Sequence, residues 1–519
     1  MSLESQVYKA LEDIVGPENI SQEPAILDSY AFQMGAKALP THLWMARPEA
    51  VLLPGSVEEV QTIVKTCNRY GIKFKAFSTG YITAANVPRP GMIHLDLRRM
   101  DRILELNERD MYAVVEPYVT WVQLQAEAMK VGLNCNVPEC GGQCSPLASC
   151  TSGWGMAAKS VAMGHNERNV LGVEWVLPTG EILRLGSVGS GAGWFCGDGP
   201  GSSLRGIMRG FHGAWGGLGV FTKVGIKLYH WPGPPDFFPL KGVSPIYDAE
   251  IPDTIKNYYC FFTNWEDFAD AGLKVGEAEI AAEFEKVSPA VVALMTSRSN
   301  QEYSQVYRFT KNLVKGPGFQ VIIMADSRRE FEYKEKVLMQ ILAETNGKNL
   351  PLVAHELMQS RVISQTVKVS AIARGVFRAT GAWLSTMGSM DTWDLAVTEA
   401  KIGSELKKAY VDEGLLMDDG VENGWGLLYE DGHFGHLEML NHYDPADAES
   451  CRAVAKLLSE SNDAHISECL GIPFGGGGDR MNDLFGPHTM NYHHWLGEIK
   501  KAFDPNVASD PGAYIRPKE

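Results

Sequence analysis

No apolar run in the 519 residues approaches the ~20 needed to cross a bilayer, so membrane insertion is not expected. Positive charge is also short. With 63 acidic against 47 basic residues the net charge is −16, which argues against nucleic acid or an anionic membrane as the main partner, although a locally basic groove stays compatible with it. The first 26 residues scatter acidic side chains and lack a basic stretch followed by an apolar one. No secretory signal is read there, and a cytoplasmic location is expected. There are nine cysteines and no C-x-x-C, which suits reduced thiols rather than a disulfide framework. Cys135, Cys140, Cys144 and Cys150 crowd together at uneven gaps. Small packed side chains explain them better than an iron–sulfur or zinc site, and no metal is expected. The P-loop G-x-x-x-x-G-K-[ST] and the H-E-x-x-H zinc pair are absent.

What is present is the mix of a soluble protein, 45% hydrophobic and 21% charged, too long for a single core. Residues 1–35 read as helical, with Val7, Leu11 and Val15 on one stripe. Ala50 to Pro54 reads as a short strand. Ser56 and Glu59 form a capping-box pattern for a helix ending near Gly71, and Ile72 to Phe77 is a second strand, together a short βαβ-like unit. Strands follow at 93–97 and 112–117, a helix at 120–131, a hairpin over 172–185 and a long strand from Gly219 to Tyr229. The Pro/Gly cluster 231–235 marks a boundary. It divides residues 1–235 from a middle region, 236–470, in which helices alternate with apolar strands, and from a tail, 471–519.

Two segments are rich in small residues. Phe77-Ser-Thr-Gly-Tyr-Ile-Thr-Ala-Ala-Asn86 follows a strand directly, and its exposed amides suit a pyrophosphate; the alternative is a plain turn. Pro138-Glu-Cys-Gly-Gly-Gln-Cys-Ser-Pro146 with Thr151-Ser-Gly-Trp-Gly-Met-Ala-Ala158 suits a backbone pressed against a bulky ligand, or close helix packing. Neither is a G-x-G-x-x-G fingerprint, and the glycine-rich run 213–219 leads into a strand, the wrong context for a nicotinamide dinucleotide.

Taken in order, several motifs resemble the vanillyl-alcohol oxidase and p-cresol methylhydroxylase family of FAD-linked oxidoreductases. They are Ser78-Thr-Gly-Tyr81 with Ala84-Ala85, Val115-Glu-Pro117 leading to Thr120, Val137-Pro-Glu-Cys-Gly-Gly142, Gly217 to Ile226, Phe503-Asp-Pro-Asn506 and Pro511-Gly512. The resemblance spans both ends of the chain. It implies an α+β fold: a two-subdomain FAD-binding domain over 1–235, an α/β cap with a mainly antiparallel sheet over 236–470, and a segment, 471–519, returning to the FAD domain. It implies FAD held by Ser78, Thr79, Gly80, Tyr81, Ala84, Pro117, Gly141, Gly142, Ser145, Ser152, Gly153, Gly155, Gly219 and Val220. A small organic substrate (alcohol, hydroxy acid or activated benzylic carbon) would pass a hydride to the flavin N5, with Tyr81, Glu139 and His436 at the reacting centre. Tyr81 also reads as a packing aromatic and Glu139 as a turn cap. An electron-acceptor protein or subunit, and a homo-oligomer or larger complex, are the expected partners.

In the cap, Gly432-His-Phe-Gly-His-Leu-Glu438 is the densest polar cluster. On a strand His436, Glu438 and His442 share a face with His433 opposite; on a helix His433 and His436 share one. A rival reading is a D-2-hydroxy-acid dehydrogenase with a metal near His433 and His436; another is a flavin-bearing electron-transfer or scaffold subunit. The Tyr-Arg pair with which phenol-oxidising members hold a phenolate would fall in His465-Ile-Ser-Glu468, and neither residue is there. The cap region that carries a flavin-linking histidine or tyrosine in some members reads Glu413-Gly-Leu-Leu-Met-Asp-Asp419, so non-covalent FAD is expected.

Overall fold

Periodic burial of Val7, Leu11 and Val15 seats the helix Ser5–Val15 against the helix Val57–Tyr70. This computed structural model describes residues 3–31, 45–80, 85–138, 141–153, 155–194, 202–210, 212–235, 241–243, 246–350, 355–368, 380–420, 424–473, 478–510, 512 and 514–515. The expected helix over 1–35 is broken. Gly16 stops it, a 3-10 turn and the short strand Ile20–Ser21 follow, and Pro24 starts a second helix. Glycine and two prolines outweigh the apolar stripe.

The capped helix forms as its sequence dictates. Ser56 Oγ accepts the Glu59 N–H at 3.1 Å, and Gly71, at φ 69°, ends the helix. The reciprocal bond goes one residue back, Gly55 N–H donating to Glu59 Oε2 at 2.8 Å. The flanking strands Val51–Leu52 and Lys73–Phe77 do not pair as a simple βαβ unit. Both run parallel to Met92–Asp96, which lies between them in a four-stranded sheet. A second sheet is antiparallel, with strand order Ile103–Asn107, Tyr112–Val115, Val220–Lys227, Val170–Val176 and Ile182–Leu185.

The tail segment Asp504–Asp510 lies beside the first sheet. Phe74 N–H donates to Ala508 O and Asp510 N–H to Phe74 O, both at 2.9 Å. The buried Lys500 ammonium donates to Gly217 O, Asp504 Oδ2 and Ser509 O, tying the helix Tyr492–Phe503 to the glycine-rich turn before Val220.

A third, antiparallel sheet has seven strands. Its central order is Ile255–Phe261, Gly318–Met324, Glu283–Val287, Gly424–Tyr429, Phe434–His442 and Trp383–Asp391. Strand alternation gives it two unlike faces. Phe284, Phe319, Val321, Leu437 and Met439 pack with Phe268 and Trp393 from the helices Trp265–Glu277 and Trp393–Asp412. The opposite face turns toward the first two sheets. The architecture is α+β with antiparallel sheets, as the sequence implied.

Candidate functional site

Behind the first small-residue loop, Tyr30, Phe77 and His94 pack edge-to-face with centroids 4.9–5.4 Å apart. Burial pushes the His94 imidazole down to about 3, so it stays neutral, and its Nε2–H donates to Ala85 O at 2.9 Å. Asn86 Nδ2 donates to Tyr30 O. Both ends of the loop are therefore fixed, while Tyr81 and Ala84 lie outside the described residues.

The second loop is pinned by backbone bonds: Trp121 N–H to Cys144 O at 2.9 Å and Val122 N–H to Gly142 O at 3.0 Å. Ser145 Oγ then accepts the Ala148 N–H at 3.2 Å and starts the short helix Pro146–Thr151. Ser152 lies just past it, its hydroxyl 3.2 Å from that of Thr151. Glu139 and Trp154 lie outside the described residues. Two glycines here are dictated by contact. A Cβ on Gly153 would meet the Trp215 ring at 3.0 Å, and one on Gly155 would sit 2.3 Å from Asn166 Cβ and 2.5 Å from Glu167 Oε2. Glu167 pairs with His165, and burial pushes its carboxyl up.

The glycine-rich turn links the two loops. Ala214 N–H donates to Thr151 O at 2.8 Å, and a Cβ on Gly216 would lie 3.4 Å from the Nζ of Lys75, itself ion-paired with Asp510. Gly219 donates its N–H to Ser509 Oγ at 2.8 Å, and Val220 is wholly buried in the core of the first sheet. Pro117 is buried after the strand Tyr112–Val115.

These segments fit an anionic dinucleotide. The backbone amides of Ser78, Thr79, Gly80, Gly142 and Gly153 donate to no acceptor among the described residues, although all five lie buried or half-buried. Amides without partners, in segments made of small residues, are the donors a diphosphate takes.

From the second loop the chain runs directly onto the seven-stranded sheet. Met156 and Ala158 pack against Leu427 and Tyr429, and Phe284 N–H donates to Ala158 O at 2.9 Å. On that face a polar row crosses four strands: Gln320 opposite Glu285, then Trp425 opposite Glu438, with His436 opposite Leu427. Trp425 Nε1–H donates to Glu285 Oε1 at 2.8 Å. Gln320 is fully buried, and neither of its amide atoms has a partner among the described residues. A sheet face this polar is costly to bury unless a ligand completes it.

His436 is held from behind. Its Nδ1 lies 3.0 Å from Ser389 O, and a carbonyl only accepts, so Nδ1 carries the proton. Nε2 then faces Glu438 Oε2 at 3.6 Å. A bulge between Met387 and Met390 makes room for the pair. Gly388 there has φ 85°, and a Cβ would sit 2.8 Å from Glu438 Cβ and 2.9 Å from His436 Cε1. Glu399 anchors the bulge by accepting the Gly388 and Ser389 N–H groups at 3.0 and 2.8 Å. Burial nonetheless pushes its carboxyl up to about 7.

His433 does not join this group, since it is exposed and precedes the strand. His442, on the parity expected, is drawn off to Asp419 at 3.5 Å, where Lys407 binds both carboxylate oxygens at 2.7 Å. Among the described residues no cluster of three or more metal-ligating side chains forms. His465 is buried, which pushes its imidazole down to about 4. The sequence reading named His436 and Glu438 but missed Glu285, Gln320, Trp425, Gly388, Ser389 and Glu399. Alternation within single strands was the available signal, and their meeting depends on strand order.

A family model described as an FAD binding domain matches residues 48–186. The flavoprotein subunit of 4-cresol dehydrogenase (hydroxylating) from Pseudomonas putida is 30% identical over 98% of this chain and 94% of that protein. The chain belongs to the p-cresol methylhydroxylase and vanillyl-alcohol oxidase family. A probable mitochondrial D-lactate dehydrogenase of Danio rerio is 27% identical over 98% of the chain and 92% of its own length. Among solved structures, p-cresol methylhydroxylase with substrate bound shares the fold, with a TM-score of 0.77 at 18% identity, covering 98% of this chain and 96% of that one. As a member of this family the protein is an FAD-dependent oxidoreductase, and no helix among the described residues is long and apolar enough to cross a membrane.

Proposed function

We propose that FAD binds without a covalent link in the seam between the two small-residue loops and the polar face of the seven-stranded sheet. There the enzyme oxidises a small alcohol, hydroxy acid or activated benzylic carbon. The observation that carries this reading is the packing of Met156 and Ala158 on Leu427 and Tyr429, which sets the second loop beside the polar row. Bound FAD supplies the two-electron acceptor. The chain's tasks are to orient the substrate, exclude water and hold a proton. Ser78, Thr79, Gly80, Gly141, Gly142, Ser152, Gly153 and Gly155 would surround the cofactor. Tyr81 and Glu139 would stand at the reacting carbon. His436, beside Glu438, would accept or donate a proton at the substrate oxygen.

The neutral His465 removes a cation that a phenolate needs, which favours alcohols and hydroxy acids over phenols. Electrons would leave to an acceptor protein or subunit, in the cytoplasm. Anaerobic mixing with a panel of alcohols, 2-hydroxy acids and 4-alkylphenols tests the reading. Bleaching of the flavin by an alcohol or a hydroxy acid is expected, and His436→Asn should slow it by about 100-fold. Bleaching only by phenols, or by nothing, would overturn it. Flavin remaining on the polypeptide after denaturation would overturn the non-covalent link.

A further inference from the structure

The short turn Asn166–Arg168 packs against the second small-residue loop and holds both of its arms. Asn166 N–H donates to Gly155 O at 3.0 Å, and its Nδ2 donates to Asn136 O at 2.9 Å. Asn136 Nδ2 in turn donates to Gly164 O at 2.8 Å and to Ser160 Oγ at 3.0 Å, and Ser160 Oγ also accepts the Ala157 N–H at 3.0 Å. Asn136 precedes Pro138 and Ala157 follows Gly155, so one polar web fixes the loop where it leaves the core and where it returns.

Two titratable side chains, His165 and Glu167, are shut away at this turn. They are 1% and 0% exposed, and His165 Nδ1 meets Glu167 Oε2. The carboxylate touches the loop itself, since a Cβ on Gly155 would stand 2.5 Å from Glu167 Oε2. The His165 ring packs edge-on against Tyr429 of the cap sheet, with centroids 5.8 Å apart. Burial pushes the Glu167 carboxyl up, while His165 and the Gly155 amide draw it back down. Near the pair lie the Cys150 thiol on the helix Pro146–Thr151, the Cys135 thiol and the Tyr229 phenol. Burial pushes all three up, so they keep their protons and add no charge. Arg168 turns away to Glu430, meeting its two carboxylate oxygens at 2.9 and 3.0 Å. In such an interior an imidazole–carboxylate pair is cheapest when net neutral, with one titratable proton on the pair.

We propose that the buried His165–Glu167 pair positions the second cofactor loop and takes up a proton from solvent when FAD binds, an assignment that rests on the cofactor site proposed above. FAD brings a diphosphate anion to the loop that Glu167 touches. At low dielectric that anion opposes a second negative charge, so the pair holds its proton more tightly with FAD bound than without it. Binding and protonation are then linked in both directions. FAD binds more weakly as pH rises and the pair loses its proton, and the Glu167 carboxylate is the charge responsible. A glutamine in its place keeps the shape and an oxygen toward Gly155 but cannot ionise.

The test titrates FAD into the flavin-depleted full-length chain, wild type and Glu167→Gln, between about pH 6 and 9, with binding read from flavin fluorescence. Wild-type affinity should fall about 10-fold across that range, whereas the affinity of Glu167→Gln should change by less than about twofold. A pH indicator in weak buffer reads the proton directly. Mixing with FAD should draw protons from solvent into the wild type and none into Glu167→Gln, and the wild-type half of that measurement does not depend on the variant folding. A pair that only packs against the loop would leave both readouts flat. The same pH dependence in both proteins, or FAD bound by the wild type without proton uptake, overturns the role of the pair and leaves the cofactor site standing. A wild-type chain that takes up no FAD at any pH overturns the cofactor site itself.

Discussion

Gly388 shows how much one missing side chain decides. Its φ of 85° is costly for other residues, and a Cβ would press on both members of the His436–Glu438 pair. Gly388→Ala should cost about 1–3 kcal/mol in urea unfolding and slow flavin reduction at least about tenfold while leaving flavin content unchanged. Unchanged reduction kinetics would detach the bulge from the site. Glu399 gives a signed pH dependence. Its carboxyl is raised from 4.5 to about 7 in the fold, so the protonated form is favoured there. The stability this residue adds is complete below pH 4.5 and fades as pH rises through about 7, by about 3 kcal/mol. Glu399→Gln should flatten that part of the stability–pH curve; an unaltered curve would contradict it. Of these residues only His436 and Glu438 stood out in the chain, because a histidine between glycines and a carboxylate is visible locally. Gly388 and Glu399 matter through partners 48 and 11 residues away, and no local pattern encodes that.

At the scale of elements, local chemistry was legible wherever a helix carried its own start and stop. Ser56 and Gly71 bound their helix as expected, and the hairpin over 172–185 paired as read. Strand order was not legible. The Met92–Asp96 strand separates two strands adjacent in sequence, and the polar row exists only because Gly424–Tyr429 lies between Glu283–Val287 and Phe434–His442. The contact between the FAD-binding half and the cap sheet rests partly on Lys159 and Glu283, each 1% exposed. Lys159→Met leaves a buried carboxylate unmatched and should cost about 3–5 kcal/mol, whereas Lys159→Met with Glu283→Met should recover most of it. Urea midpoints for the two variants decide it. Equal losses would mean that the pair does not act as a unit.

Over the whole molecule the motifs at both ends of the chain belong to one half. The tail hydrogen-bonds beside Phe74, and Lys500 holds the turn that joins the two small-residue loops. Their order along the sequence pointed to the family before any contact was known, because linked motifs survive where single ones are ambiguous. The polar face of the cap sheet was less legible, since its residues come from strands distant in sequence.

Everything depends on the two small-residue loops and the polar sheet face enclosing one flavin. The direct measurement is the flavin-to-protein ratio of the purified chain, read before denaturation and again in the supernatant after it. The account predicts stoichiometric FAD that leaves with the supernatant; a colourless protein that takes up no added FAD would contradict it.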